Sequence, residues 1–493
     1  MAALKKLASQ TAIYGLSSIV GRFLNYLLVP LYTYHFPAES YGIVSEFYAY
    51  AGFFSVVLVM GLETGYFRFR HDSSVDPESA YASGFWAIFV LNALFLGLLV
   101  GFARPLSVAI HYTDHPEYLI WFGCILSMDA ISALPFARLR AEGKALQFAG
   151  IKLVEIALTI GLNLFFLIGA PLWVGLWPDS PALSWYEPSR GVGYIFLANL
   201  MASAIKLVLL LPQLRVLFMA RQALIMGPML RYSLPMVLIG LAGMVNEMLD
   251  RAVLKYLLPF DVKANLRLLG IYGACYKLSI LMSLFVQAFR YAAEPFFFAR
   301  KNHQDAKQTY AQVMRYFVVC CSLIFLFVTV FIDYFQYFVG AEYREGLSVV
   351  PILLMANLFL GIYVNLSIWY KLTDRTWMGG WVSLLGAAAT VILNLWWVPA
   401  YGYVGAAWST LVCYAGMALV SWRLGQVFYP VPYPVMRLFA YLLLAAFLAW
   451  LHQALRRCGL ESLIEELSVV GGYLAIVMVA EAPTLLRRSN PGV

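Results

Sequence analysis

The chain has 493 residues, of which 62% are hydrophobic and 12% are charged, and its mean hydropathy is +0.76. A soluble domain of this length cannot bury so much apolar surface, so the composition excludes a soluble globular protein and indicates lipid as the main solvent. The net charge of +8 is spread over short loops, which argues against a nucleic-acid-binding patch.

Long apolar segments recur along the whole chain. About fourteen of them reach roughly 18–25 residues, the length that spans about 30 Å of hydrocarbon. The sequence therefore predicts an all-α integral membrane protein with about fourteen transmembrane helices. The predicted helix cores are residues 11–34, 41–62, 81–102, 119–136, 151–168, 192–211, 230–254, 268–289, 317–332, 349–370, 377–397, 403–422, 435–450 and 467–482.

The distribution of Lys and Arg predicts the orientation of these helices. Most of the 34 basic residues fall in loops on the side of the N terminus, while a few, such as Lys255, fall in loops on the opposite side. Because positive loops stay in the cytoplasm, the N terminus is predicted to be cytoplasmic. An even number of spans then places the C terminus in the cytoplasm as well.

The first span carries polar residues on one face. Gly15, Ser18, Arg22 and Asn25 follow the spacing 3, 4, 3, which aligns them on one side of a helix. Arg22 lies about eleven residues inside the span, too deep for its side chain to reach an interface easily. Two interpretations remain open: Arg22 faces a cavity, or it pairs with a neighbouring helix.

Later spans also contain ionisable residues, which are costly inside a membrane and therefore indicate a function or a partner. Glu63, near one end of the second span, could simply pair with Arg68 or Arg70. The charged residues inside the later spans are Glu46, Asp129, Glu155, Lys206, Glu247, Asp250, Arg251, Lys277, Arg290 and Glu294.

The second half of the chain repeats the first at an offset of 231 residues. Glu63 corresponds to Glu294, Arg140 to Lys371, and the segment LNLFF at 162–166 to LNLWW at 393–397. Such agreement among scarce polar residues indicates an internal duplication. Six spans per copy give both copies the same orientation, and a substrate cleft is expected between them.

The repeat predicts the domain organisation. An N-terminal six-helix lobe covers residues 1–215, and a cytoplasmic linker covers 216–231. A second six-helix lobe covers 232–430, and two accessory helices follow at 431–493.

Several segments resemble the oligosaccharide/polysaccharide flippase family of the multidrug/oligosaccharidyl-lipid/polysaccharide exporter superfamily. They are the opening pattern Gly15…Arg22…Pro30-Leu31…Tyr41-Gly42 and the later segments NEMLDRAVLKYLLP, GIYGACYKL, FRYAAEPFFF and LNLWWVPAYGYVGAAWST. The resemblance implies two six-helix lobes around a V-shaped cleft, and alternating access. It also implies export of an undecaprenyl-diphosphate-linked oligosaccharide across the bacterial cytoplasmic membrane for cell-surface polysaccharide synthesis.

The resemblance also implies a basic cavity that holds the diphosphate. Arg suits phosphate because its planar fork can donate two hydrogen bonds. In the first helix of each copy the offset is 225 residues, so Glu247 stands where the repeat matches Arg22, which departs from a purely cationic lining. The predicted cavity residues are Arg22, Asn25, Lys206, Lys277 and Arg290.

Transport against a gradient needs a ligand that binds one conformation better, and buried acids are candidates for binding protons or sodium ions. Structural ion pairs, such as Glu247–Arg22 and Asp250–Arg251, explain some of these acids equally well. The predicted coupling residues are Glu46, Asp129, Glu155, Glu247 and Glu294.

Two other functions are kept as alternatives. One is a drug or metabolite antiporter of the same superfamily, which a cavity rich in acids would favour. The other is a membrane enzyme acting on the same lipid, but the loops are too short for a nucleotide-sugar domain. We expect no enzymatic activity. We also expect no cofactor or metal, since no Walker A motif and no Cys spacing typical of a metal site occur. The expected partners are membrane lipids and the lipid-linked glycan.

Overall fold

A computed structural model of the chain describes residues 19–177, 184–218, 225–459 and 462–489. Within these residues, every regular element is helical. Eleven helices are long and apolar enough to cross a membrane, and a bent pair, Val262–Leu278 with Ile280–Arg300, brings the number to twelve. The predicted all-α fold of a multi-pass membrane protein is therefore confirmed.

The described residues pack into two compact units that divide between Gly270 and Ile271. The first unit opens with helical residues 19–26. Its further helices are α1 (Leu28–His35), α2 (Ala38–Val59), α3 (Leu62–Arg70), α4 (Pro77–Gly101), α5 (Ala103–Ala109), α6 (Pro116–Ala141), α7 (Ala145–Leu164), α8 (Ala170–Leu176), α9 (Gly193–Leu214) and α10 (Met226–Leu257), followed by the first part of α11 (Val262–Leu278).

The second unit contains the rest of α11 and the C-terminal helices. These are α12 (Ile280–Arg300), α13 (Ala306–Val330), α14 (Ile332–Phe335), α15 (Val350–Leu366), α16 (Ile368–Leu372), α17 (Thr376–Phe428), α18 (Val435–Arg457) and α19 (Leu463–Ser489). Packing thus groups α10 with the first unit, whereas the sequence repeat begins its second copy near 232. The predicted lobes follow the boundaries of the repeat, not those of the packing units, so they remain a prediction.

Two glycines allow α2 and α11 to cross at the closest range. A Cβ atom added to Gly42 would lie 2.0 Å from the backbone oxygen of Leu266, and one added to Gly270 would lie 1.9 Å from that of Ala38. Each helix therefore presents a glycine to the backbone of the other. Gly42 of the Tyr41-Gly42 step in the opening pattern thus has a packing role.

The longest helix, α17, contains a break. Its 53 residues would measure about 80 Å as a straight helix, far more than a bilayer requires. The backbone of Gly402 is not helical, with φ 63° and ψ −149°, and Pro399 lies just before it. The break falls between the predicted spans 377–397 and 403–422, so both predicted spans are present within one merged element.

We predict that Gly402→Ala destabilises the protein, because residues other than glycine rarely adopt this backbone conformation. The expected loss is about 1–3 kcal/mol of unfolding free energy, measured as a lower midpoint of thermal unfolding in detergent. Gly416→Ala is the matched control, since Gly416 lies in the same helix with open space around its Cα. Equal unfolding midpoints for Gly402→Ala and Gly416→Ala would show that the break at residue 402 tolerates a side chain.

Candidate functional site

A buried carboxylate organises the first unit. Glu46 of α2 is fully buried, and its side chain accepts hydrogen bonds from Tyr50 and Tyr112, both at 2.5 Å. Lys255 of α10 lies 3.1 Å from Glu46 Oε2 and is only 1% exposed. The Tyr256 hydroxyl completes the set at 3.2 Å from Oε1. A buried charge thus has both an ionic partner and several hydrogen-bond donors, as burial requires.

The same cluster reaches the connection between α5 and α6. The Lys255 ammonium donates to the backbone oxygen of Ile110 at 2.6 Å and lies 4.1 Å from the ring centre of Tyr112. Burial, followed by the negative charge of Glu46, raises the pKa of Tyr112 well above its ordinary value. Tyr112 therefore remains a protonated donor. The cluster fastens α2, α10 and this connection together.

The partners of Glu46 differ from what the sequence predicts. Lys255 is predicted to lie in a loop, whereas in the structure it lies inside α10 and is buried. Lys255 follows Met248 by seven residues and Arg251 by four, so all three lie on one helical stripe. This spacing could have indicated that the span continues to Lys255.

A second cluster joins three predicted site residues. Lys206 of α9 donates to Asp129 at 2.5 Å and to Glu155 at 2.6 Å. Lys152 contacts the other Glu155 oxygen at 3.0 Å, and Ser203 donates to Asp129 at 2.7 Å. Two lysines thus face two carboxylates, and α6, α7 and α9 are linked. Lys206 is buried, whereas 47% of the Asp129 side chain is exposed.

Arg22 lies on the exposed face of the first helix. Its side chain forms no ion pair within the described parts of the chain. It lies thirteen residues before His35, the end of α1, which is about 20 Å along a helix axis. Asn25 is exposed on the same helix, while Gly21 packs against Ile156 of α7.

The α10 helix carries the charges predicted as a structural pair. The Arg251 Nε lies 3.3 Å from Asp250 Oδ1, and Arg251 also donates to the backbone oxygen of Glu247. The Glu247 side chain is exposed. Among the residues that the structure describes, Glu247 and Arg22 do not pair with each other.

In the second unit, Arg290 is exposed and lies ten residues into α12, or about 15 Å along its axis. Its guanidinium forms no ion pair among the described residues. Lys277 is partly buried near the end of α11. Glu294 lies 2.5 Å from Lys371, and both side chains are more than a third exposed. Glu294 therefore has an ionic partner, whereas Arg290 has none among the described residues.

The internal repeat reappears as matched contacts. Glu63 pairs with Arg140 in the first unit, and Glu294 pairs with Lys371 in the second, each across 77 residues. These are the residues that the offset of 231 relates. Glu63 therefore pairs with α6 rather than with Arg68 or Arg70.

A second repeated contact lies within two helices. Asn163 donates to the backbone oxygen of Thr159 at 2.7 Å, and Asn394 donates to that of Thr390 at 2.8 Å. Asn163 also accepts a hydrogen bond from Tyr32 at 3.0 Å. The repeated LN motif thus keeps its local hydrogen bonding in both copies.

The end of α6 carries a group of charges outside the membrane-spanning segment. Arg138 contacts Glu78 at 2.9 Å and Glu142 at 2.6 Å, and Lys144 contacts Glu142 at 2.7 Å. Burial disfavours ionised Glu142, but the hydrogen bonds from Arg138 and Lys144 outweigh it and hold the pKa of Glu142 below its ordinary value. These charges lie on the side predicted as cytoplasmic.

Sequence comparisons find no match for this protein, whereas structural comparison identifies transporters with the same fold. No protein-family model and no curated protein matches the sequence. The structure is similar to the lipid II flippase MurJ in an inward closed conformation, with a TM-score of 0.72, 13% identity, and coverage of 95% of this chain and 99% of that one.

Two multidrug transporters are also similar. An inward-facing multidrug resistance MATE family transporter of the MOP superfamily has a TM-score of 0.60 at 13% identity, covering 87% of this chain and 95% of that one. The MATE multidrug transporter DinF-BH, in complex with a ligand, has a TM-score of 0.60 at 16% identity, covering 87% and 96%.

The chain is therefore a multi-pass membrane protein with the fold shared by these transporters. The likeness to these structures, at 13–16% identity, is one of fold.

Proposed function

We propose that this protein moves an undecaprenyl-diphosphate-linked oligosaccharide from the inner to the outer leaflet of the bacterial cytoplasmic membrane by alternating access. Cell-surface polysaccharide synthesis would use the product. Both termini lie in the cytoplasm in this proposal. The observation that carries it is Arg22, an exposed guanidinium in an apolar helix with no ion pair in the described residues.

The predicted first span places Arg22 about eleven residues from its start, well inside the membrane. An exposed guanidinium deep in a membrane helix is costly against lipid and is stable in a polar cavity. A diphosphate cannot cross hydrocarbon unaided, since its charge would lose its hydration. Guanidinium groups can replace that water with charge-assisted hydrogen bonds. Arg22 and Arg290, both exposed, are the strongest candidates to do this, with Asn25 and Lys277 as further contacts to the substrate.

The fold supports a lipid-linked substrate over a drug. The likeness to a lipid II flippase extends over 95% of this chain, whereas the two MATE structures cover 87%. In the proposed mechanism, the diphosphate and the sugars occupy the cavity while the polyprenyl tail remains in the bilayer. Binding of protons or sodium ions by one or more of the exposed acids, Asp129 and Glu247, would bias the transport cycle.

A small-molecule antiporter is the second candidate. The likeness to MATE multidrug transporters supports this alternative. The exposed carboxylate of Glu247 also suits a cationic compound.

The deciding experiment follows a labelled undecaprenyl-diphosphate oligosaccharide in proteoliposomes, with and without a pH gradient. We predict that Arg22→Ala lowers the flipping rate by about tenfold or more, the effect of losing a charge-assisted hydrogen bond to the diphosphate. The matched control is Arg104→Ala, because Arg104 is an exposed arginine on the short helix α5.

The two proposals predict different results. Normal flipping by both variants would remove Arg22 from the pathway. Failure of the well-folded wild type to flip the lipid, together with uptake of a fluorescent organic cation such as ethidium, would favour the antiporter.

A further inference from the structure

A small cavity lies where the accessory helix α18 meets α13 in the second unit. Its volume is about 190 Å³, and its walls are Gln308, Ala311, Gln312, Arg315, Pro432 and Pro434. All six residues belong to the second unit, and the walls include neither Arg22 nor Arg290. The proposed transport function does not use this cavity.

Two helices begin at this cavity. Gln308 lies in the first turn of α13, which starts at Ala306 and has 25 residues. Pro434 is the N-cap of α18, which has 23 residues. The N-terminus of a helix carries a partial positive charge and favours anions. Both helix ends therefore make the potential in the cavity more positive.

A buried arginine provides a second, independent indication of an anion. Arg315 is only 5% exposed and lines the cavity. One of its terminal nitrogens lies 3.0 Å from Glu481 of α19. Its Nε is buried and has no hydrogen-bond partner among the described residues. A buried N–H without an acceptor is costly, so Arg315 lies at the cavity wall with part of its hydrogen-bonding capacity unused.

The charges around the cavity are mostly positive. Lys307 lies 4.9 Å from the ring centre of Tyr429, next to the cavity walls, and Arg437 is exposed in the first turn of α18. Two carboxylates oppose them: Glu481 pairs with Arg315, and Asp305 pairs with Arg300 at 3.1 Å. Both carboxylates already have cationic partners, so Lys307 and Arg437 remain in excess.

The walls of the cavity are held in place. Val431, directly before Pro432, is 3% exposed and packs in a core cluster with Tyr310 and Phe297. Its backbone oxygen also accepts a hydrogen bond from Gln426 at 2.9 Å. The linker between α17 and α18 is therefore anchored, so the cavity does not need to form on binding.

We propose that this cavity binds the phosphate of an anionic phospholipid headgroup. The distribution of basic residues predicts this face as cytoplasmic, where anionic lipids are concentrated and attract Lys and Arg. The two glutamine amides and Arg315 contact the phosphate oxygens, and the acyl chains lie in the bilayer beside α13 and α18. The lipid thereby supports the junction of the accessory helices.

The test measures binding of dioctanoylphosphatidylglycerol to the purified full chain by native mass spectrometry, with dioctanoylphosphatidylcholine and inorganic phosphate as comparison ligands. The informative variant is Gln308→Glu, which adds a negative charge at the cavity and leaves the Arg315–Glu481 pair intact. The control is Gln304→Glu, since Gln304 is exposed just before α13 and does not line the cavity.

We expect the phosphatidylglycerol to bind more tightly than the phosphatidylcholine. Gln308→Glu should weaken its binding by about fivefold, the effect of one charge near the headgroup, and Gln304→Glu should leave it unchanged. Equal binding of both lipids, or equal losses in both variants, would overturn the proposal. Phosphate binding that depends on Gln308 without phosphatidylglycerol binding would instead assign the site to a free anion.

Discussion

Replacing Lys255 by methionine is expected to lower the free energy of unfolding by about 3–5 kcal/mol. The change leaves the carboxylate of Glu46 fully buried without its cationic partner, while the long apolar side chain of methionine preserves much of the packing. The loss should appear as a lower midpoint of thermal unfolding in detergent and as a reduced yield of monodisperse protein.

A double variant tests whether the pair itself causes this loss. Glu46→Gln with Lys255→Met removes both charges, so it should recover part of the stability that Lys255→Met alone loses. Lys263→Met is the control, because Lys263 is exposed near the start of α11 and forms no ion pair in the described residues. If the double variant were no more stable than Lys255→Met, the charge of Glu46 would not be the cause.

Gly42→Ala is expected to cost about 3 kcal/mol of unfolding free energy, because the added methyl group overpacks a helix crossing. The new Cβ would meet the backbone oxygen of Leu266 at 2.0 Å, and a backbone atom cannot rotate away as a side chain can. The helices α2 and α11 would therefore have to separate. Thermal unfolding of the purified variant measures the effect.

Gly161→Ala provides the contrast. Gly161 lies in α7 of the same unit and has nothing within 4 Å of an added Cβ. Alanine favours a helix over glycine by about 1 kcal/mol, so this variant should be neutral or slightly more stable. A Gly42→Ala protein as stable as Gly161→Ala would show that the crossing of α2 and α11 can widen freely.

Apolar run lengths predicted the fold well, because membrane thickness fixes the length of each span. Most of the predicted cores correspond to helices in the described residues, but the core 268–289 crosses the bend between α11 and α12, and residues 11–18 of the first core lie outside the described residues. The break in α17 follows from the glycine and proline that separate two of the predicted cores. The repeat predicted which residues are equivalent, and the structure shows equivalent ion pairs at Glu63 and Glu294.

Partners in space were harder to predict. Glu63 has basic neighbours in sequence at Arg68 and Arg70, yet it pairs with Arg140 from another helix. Glu46 was visible as a buried acid, but its partner Lys255 lies 209 residues away and was assigned to a loop. Helical periodicity identifies the face of one helix and carries no information about which helix packs against it.

The residues predicted to line the cavity differ in their exposure. Arg22 and Arg290 are exposed, whereas Lys206 is buried between Asp129 and Glu155. From sequence, all three are basic residues inside apolar spans. Only packing distinguishes a cation held by carboxylates from one available to a ligand.

The matched ion pairs show what the two halves of the repeat keep in common. One pair uses an arginine and the other a lysine, so the sign of the charge and its position are kept while the side-chain chemistry differs. Each pair also closes entirely within its own unit. Each half of the repeat thus supplies both partners of its own ion pair.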